Sequence, residues 1–427
     1  MMHRRFLLLF ALLALPALGQ DSSGVRKVGE IHCYFGDAHA VAVRGGLAYI
    51  ACDSGLSIVT VNDPTLPVQT GFCETPECVW DVAVAGNYAY VAAGDYGLRV
   101  FDISDPAQAT EAGSIDTRGW AYEVVVAGNY AYLADMEGGL LVVDIDDPTH
   151  PNEVGFYSFL GYTFAVAVTG DYACVTVHMD DDGANGTMQV VEVSDPAQPV
   201  PTGSCYTEGY AYGIDLADNY AFVTDVYEEG DISHGVLRVV DISDPEQPRQ
   251  IGCCDTHGRI YDIVVAGKYA FVANFDTGLR VVDISDPVHP GEVGFYDAPG
   301  QSTGVAVGEG GLVYTAENDG LGIYDCSEAM SAPSSDLTPH PSSFSLSAFP
   351  NPFNSSTHLT FGLPTAGRVM LSAYDVKGRL VEDLFTGTLD AGRHSINWSP
   401  ASLSSGLYLI RMEAGGVVRM ARGVMVR

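Results

Sequence analysis

A unit of about 42 residues recurs along this chain and limits what it can fold into. It is clearest at 124–148, VVVAGNYAYLADMEGGLLVVDIDDP, which reads as strand, turn, strand, turn, strand. The apolar opening returns as Val82-Ala83-Val84 and Val166-Ala167-Val168. The closing Asp-Pro returns at Asp63, Asp105, Asp147, Asp195, Asp244 and Asp286, and Ser327-Glu328 stands in its place in a seventh copy. Successive steps are 42, 42, 48, 49, 42 and 42 residues. In the second copy the expected strands are Trp80–Ala85, Tyr88–Ala93, Leu98–Ile103 and about Glu111–Ile115. Gly86-Asn87 tolerates the positive φ of a tight hairpin, and Asp105 caps a reversal that Pro106 fixes. A turn role explains six copies of Asp-Pro; a single catalytic carboxylate would not repeat.

Four short strands per 40 to 45 residues is the signature of a propeller blade. The seventh copy supplies only Gly304–Val307, Leu312–Ala316 and Leu321–Cys326 before the chain turns to Ser, Pro and Thr. Its missing strand is at the other end, where Lys27-Val28-Gly29-Glu30-Ile31 matches Glu153-Val154-Gly155-Phe156-Tyr157. The fold class expected is therefore all-β: a seven-bladed β-propeller over 25–327 whose N-terminal strand closes the last blade, leaving no open sheet edge. Residues 328–342 read as a Ser/Pro linker. Residues 343–427, with short strands between Gly and Pro turns, read as a small β-sandwich.

Charge excludes some partners. The net charge of −34 is concentrated in 6–342, which carries −39, whereas 343–427 carries +3. So acidic a surface repels phosphate backbones, which excludes nucleic acid and anionic lipid and favours cations. His3-Arg4-Arg5, the apolar run Phe6 to Leu15 and Ala17-Leu18-Gly19 have the three parts of a secretory signal peptide over 1–19, and no later stretch is long enough for a transmembrane helix. Nine cysteines are an odd number for an exported chain. Cys73, Cys205 and Cys254 take the place of Tyr157 and Tyr296 and read as small buried apolar groups; Cys73 and Cys78 are close enough in sequence to be weighed as a disulfide.

The repeats, with Leu140-Leu141-Val142-Val143-Asp144, Leu237-Arg238-Val239-Val240-Asp241 and Leu279-Arg280-Val281-Val282-Asp283, resemble the LVIVD repeat family of secreted or surface β-propellers. Pro350-Asn351-Pro352-Phe353-Asn354, Tyr374-Asp375-Val376-Lys377-Gly378-Arg379 and Ser405-Gly406-Leu407-Tyr408 resemble the type A sorting domain of type IX secretion, itself similar to an immunoglobulin-like domain. The resemblance implies handling by the secretion machinery, display on the bacterial surface or release, and no catalytic activity.

No P-loop, GxSxG, HExxH or paired CxxC is present. Two candidate sites remain. Insertions between strands two and three of copies four and five carry Asp180, Asp181, Asp182 and Asn185, and Glu228, Glu229 and Asp231. Clustered carboxylates with an amide suit calcium, although three consecutive aspartates lack the alternation of an EF-hand and equally suit a solvated loop. On the same face, Trp80, Trp120, Tyr122, Tyr162, Phe164, Tyr210, Tyr212 and Tyr261 form an aromatic row with Asp81, Glu123 and Asp262. These are blade packing or a platform for an extracellular glycan or protein ligand. A non-enzymatic scaffold is the reading preferred, with a polysaccharide hydrolase or lyase using the three carboxylates as the alternative; His39 and His257 lack a nucleophile beside them.

Overall fold

The computed structural model describes residues 22–33, 36–178, 186–207, 209–229, 232–256, 258–298, 301–331, 345–349, 357–363, 366–389, 392–400, 403–415 and 417–425. The expected signal peptide lies outside these residues, as does the expected linker from 332 onward; residues 328–331, expected to open that linker, instead belong to a short helix, Ser327–Ser331. Seven antiparallel sheets occupy the described part of 22–325. Sheets 1 to 3 are Ala38–Arg44 to Val68–Glu74, Asp81–Ala85 to Thr110–Ile115 and Glu123–Ala127 to Asn152–Tyr157. Sheets 4 to 6 are Tyr162–Thr169 to Val200–Tyr206, Tyr210–Ala217 to Arg249–Asp255 and Ile260–Ala266 to Gly291–Tyr296. Sheet 7 has Ser302–Val307, Leu312–Glu317 and Gly320–Asp325, and its outer strand is Arg26–His32 from the N-terminus. That strand is held by more than its ladder: Arg26 pairs with Asp325 at 2.9 Å, and Lys27 reaches the buried Glu317 at 3.1 Å. Ser22–Ser23 adds a fifth strand to sheet 6, which the repeat pattern gave no reason to expect.

Val, Ile, Leu and Ala on both faces of the middle strands bury each sheet against two neighbours. One apolar core lies between each successive pair, for example Tyr49, Ile58, Val82 and Phe101 between sheets 1 and 2. Ile50, Val59, Tyr314 and Ile323 form the core between sheets 7 and 1, and the first strands of neighbouring sheets touch all the way round.

The Asp-Pro turn has a second role. In all six copies the aspartate Oδ1 accepts the amide two residues on, as with Ala107 N–H to Asp105 at 3.1 Å. The following proline carbonyl then seats against a glycine in the outer strand of the preceding sheet. A β-carbon on Gly29, Gly71, Gly155 or Gly203 would fall 1.9, 2.0, 2.1 or 2.3 Å from the carbonyl oxygen of Pro64, Pro106, Pro196 or Pro245. A register shift sits beside each of these glycines, bending the outer strand around the turn it receives. In the seventh copy the short helix Ser327–Ser331 replaces Asp-Pro, and Ala329 occupies the seat at Gly294.

After residue 344 there are two further antiparallel sheets, Ser345–Phe349, Thr357–Leu363 and Gly392–Trp398, and Leu380–Leu389, Gly367–Asp375, Gly406–Ala414 and Val417–Met425. They share one core, with Leu359, Phe361 and Trp398 from the first meeting Leu371, Ile410 and Met412 from the second. No helix among the described residues is long and apolar enough to cross a membrane.

Candidate ligand cavity among the first strands

The first strand of each sheet starts with a residue at a common place: His39, Trp80, Tyr122, Phe164, Tyr212, Tyr261 and Thr303. Six of the seven are rings in a row. Centroid separations are 4.8 Å for His39–Trp80, 5.5 Å for Trp80–Tyr122 and 5.3 Å for Tyr122–Phe164. They continue at 5.5 Å to Tyr212 and 4.8 Å to Tyr261. Most of these contacts are tilted or edge-on, the arrangement the ring quadrupoles favour. All of these rings but Phe164 border a cavity of about 410 Å³ lined also by Asp37, Asp81, Glu123, Asp262, Phe275, Gln301, Thr303 and Asn318. That volume is typical of a small-molecule site. Phe275 and Asn318 come from hairpins between second and third strands, so those hairpins and the first-strand openings do share one face. Trp80 Nε1 is buried and has no partner among the described residues, a donor that a bound acceptor would satisfy.

The carboxylates next along the strands are already engaged. Asp81 Oδ2 accepts the Val124 amide of the next sheet at 2.9 Å, Glu123 Oε2 accepts Val166 at 3.3 Å, and Asp262 Oδ2 accepts Val305 at 2.7 Å. Asp215, further along its strand, accepts Val265 at 2.6 Å. Asp81, Glu123 and Asp262 line the cavity yet lie deep within its wall, and burial there governs their charge. Burial pushes Asp81 up to about 6, the amide bonds opposing it, and Asp262 up to about 7. Glu123 is raised well above the usual carboxylate range, first by burial and then by Asp81 and Asp262.

Of the eleven aromatic and acidic residues singled out from sequence, Trp80, Asp81, Tyr122, Glu123, Tyr212, Tyr261 and Asp262 meet at this cavity, while Phe164 stands in the ring row without lining it. Trp120 instead packs over Gly94 and contacts Trp80 at 6.2 Å; Tyr210 packs on His178 at 4.6 Å; Tyr162 is half-buried and does not line the cavity. All three precede the ring position by two residues, where the strand has not yet turned inward. His39, set aside from sequence for want of a nucleophile, joins the cavity, and Asp37, Phe275, Gln301 and Asn318 were missed because sheets 1, 6 and 7 bring them in without an aromatic pattern.

The acidic insertions resolve differently. Asp180, Asp181, Asp182, Asn185 and Asp231 lie outside the described residues, as does His257. Glu228 and Glu229 belong to a lengthened hairpin, with Glu228 opposite Ser233 and Glu229 opposite Ile232, rather than to a loop. Cys73 and Cys254 are buried as expected, whereas Cys205 is half-buried. Cys73 and Cys78 are not bonded: Cys73 faces the core between sheets 1 and 2, and the Cys78 thiol is turned toward Asp53 at 3.6 Å.

Residues 35–75, 78–117, 118–158, 160–207, 208–256 and 257–298 each match the LVIVD repeat, together more than half of the chain. The chain belongs to the LVIVD repeat family. Residues 347–426 match the secretion system C-terminal sorting domain, so this LVIVD protein is a secreted or cell-surface protein handled by the type IX secretion machinery of a bacterium. No curated protein matches it. Among solved structures it is similar to the β-propeller domain of Myceliophteria thermophila Cps50 (Swd1), at 13% identity and a TM-score of 0.54 over 70% of this chain and 99% of that one. A chain of the mitotic checkpoint complex matches at 10% identity and 0.55 over 75% and 98%, and the computationally designed Ika8 protein at 10% and 0.51 over 70% and 99%. At such identities the likeness shows the fold, a β-propeller, and nothing about ligands.

Proposed function

We propose that this LVIVD protein is a non-enzymatic binding scaffold outside the cell, and that its ligand, a glycan or a segment of an extracellular protein, enters the cavity bordered by His39, Trp80, Tyr122, Tyr212 and Tyr261. In this reading 25–327 form a seven-bladed propeller, 332–342 a linker and 343–427 a β-sandwich that serves as an address; 1–19 are a cleaved signal peptide. Seven sheets with a core between every neighbouring pair support the blade count, and the shared core of the last two sheets supports the sandwich. The observation that carries the binding reading is the continuous row of rings beside a 410 Å³ cavity with an unpaired indole N–H. Flat apolar faces beside a few polar groups suit sugars and peptide side chains.

The raised carboxylates favour an alternative, a hydrolase or lyase, because perturbed carboxyl groups in a cavity are what acid–base catalysis uses. Their bonds to the next sheet weigh against it: a carboxylate that holds its neighbour's amide is committed to the wall. A glycan and peptide array run beside a polysaccharide-degradation screen separates the two. Binding without turnover, lost in Trp80→Ala, is expected; turnover abolished by Asp81→Asn would reverse the reading. The acidic insertions form a separate proposal, a calcium-responsive patch, and a melting temperature unchanged between calcium and chelator would end it.

A further inference from the structure

At one edge of the cavity three side chains from three segments converge. His39 stands at the start of sheet 1, Asp53 in the hairpin after its second strand, and Cys78 in the connection to sheet 2. His39 Nε2 and Asp53 Oδ1 are 2.8 Å apart, Cys78 Sγ is 3.6 Å from the same oxygen, and the three donor atoms all lie within 4.8 Å of one another. The other oxygen of Asp53 accepts the Asp37 amide at 3.0 Å, while the Asp53 amide donates to the Asp37 carbonyl at 3.1 Å. Asp53 is thus clamped with one oxygen fixed and the other turned to the imidazole and the thiol. Such an outer bond is the usual means of orienting a metal-binding carboxylate.

We propose that His39, Asp53 and Cys78 bind a zinc-class divalent ion. The donor set decides the metal: an imidazole, a thiolate and a carboxylate suit zinc, whereas calcium and magnesium take oxygen alone. Three protein donors leave a fourth tetrahedral position for water or for a ligand group. The cysteine thiol gives up its proton to solvent as the sulfur bonds the ion, so binding weakens in acid. Without the ion, burial and the charge of Asp53 hold Cys78 in its thiol form, pushed up to about 12. The site also falls where neither a wall carboxylate nor a threonine joins the first strands, although Arg44 donates to the Gly86 carbonyl at 3.2 Å across the same junction. A channel carboxylate or a threonine ties most successive sheets, but the place that holds Asp81 in sheet 2 is Ala40 in sheet 1. The trio spans that junction. The site shares His39 with the ligand cavity, but its donor set stands on its own geometry and does not rest on the ligand reading.

Zinc alone is the probe, titrated into the full secreted chain under reducing conditions against a chromophoric competitor, with cobalt(II) as a spectroscopic substitute. One equivalent should bind, and cobalt should give a thiolate charge-transfer band. Cys78→Ser should abolish that band, and His39→Ala should weaken zinc by more than the roughly 10- to 100-fold that loss of an outer partner costs. Zinc should raise the melting temperature of the parent and not of the Cys78→Ser chain. Asp53→Asn, nearly isosteric, guards against loss through misfolding and should fold yet bind weakly. Binding as strong in Cys78→Ser and His39→Ala as in the parent, or no stoichiometric binding by the folded parent, would overturn the proposal.

Discussion

Neighbouring sheets of this propeller are tied at the cavity wall in two ways. Sheets 2, 3 and 6 place Asp81, Glu123 and Asp262 where sheets 1, 4, 5 and 7 have Ala40, Ala165, Gly213 and Gly304. Each carboxylate accepts an amide of the next sheet. Where the small residues stand, a hydroxyl often does the converse: Thr176 donates to the Tyr212 carbonyl at 3.1 Å, Thr303 to Ala38 at 3.0 Å, and Thr224 to Tyr261 at 3.4 Å, although there Asp215 also accepts the Val265 amide. Both devices satisfy one otherwise unpaired backbone group, but only the first places a titratable group in the wall. The acidity of the cavity is thus explained by assembly before any chemistry on a ligand is invoked.

The comparison can be broken most severely by removing what both kinds of junction depend on, the closed circuit. Deleting residues 25–34 strips sheet 7 of its outer strand and exposes the buried Glu317, so the melting transition should fall further than with any single substitution and lose cooperativity. A deletion chain that melts like its parent would refute the closure. Next in size, Asp262→Ala leaves the Val305 amide unpaired and should cost about 1–3 kcal/mol in denaturant unfolding, whereas Asp262→Asn retains an acceptor and should cost about 0.5 kcal/mol or less. Thr176→Val, at a junction with a hydroxyl and no wall carboxylate, should fall between, at about 1 kcal/mol.

pH sharpens the contrast. Asp81 and Asp262 have folded-state values of about 6 and 7, above those of the unfolded chain, so the folded protein holds more protons from roughly pH 4 to 7. That part of the stability is present in acid and is lost as pH rises through 6 and 7. Asp262→Asn should therefore be more favourable relative to the parent at pH 8 than at pH 4, while Thr176→Val should show no such slope. Parallel pH profiles for the two variants would contradict the assigned environments.

Much of this was legible in the sequence because it repeats. Strand positions, the Asp-Pro turn, the N-terminal strand in sheet 7 and seven members of the cavity all follow from aligning the copies. The seat formed by Gly71 or Gly203 for the next proline carbonyl was missed, although a glycine recurs at that place in every copy; a contact between units has no period of its own within a unit. His39, Asp53 and Cys78 were illegible for a different reason: spacings of 14 and 25 residues match no local motif, and only the junction of two sheets brings them together.

Under the proposed function the rings hold the ligand and the carboxylates hold the wall. A ligand recovered from the array, measured by calorimetry at pH 7 against Tyr122→Ala and Asp81→Asn with product analysis of the same mixtures, tests it directly. The account predicts affinity lost in Tyr122→Ala, kept within a few-fold in Asp81→Asn, and no product in any sample. Affinity kept in Tyr122→Ala, or product formed by the parent and abolished by Asp81→Asn, would contradict it.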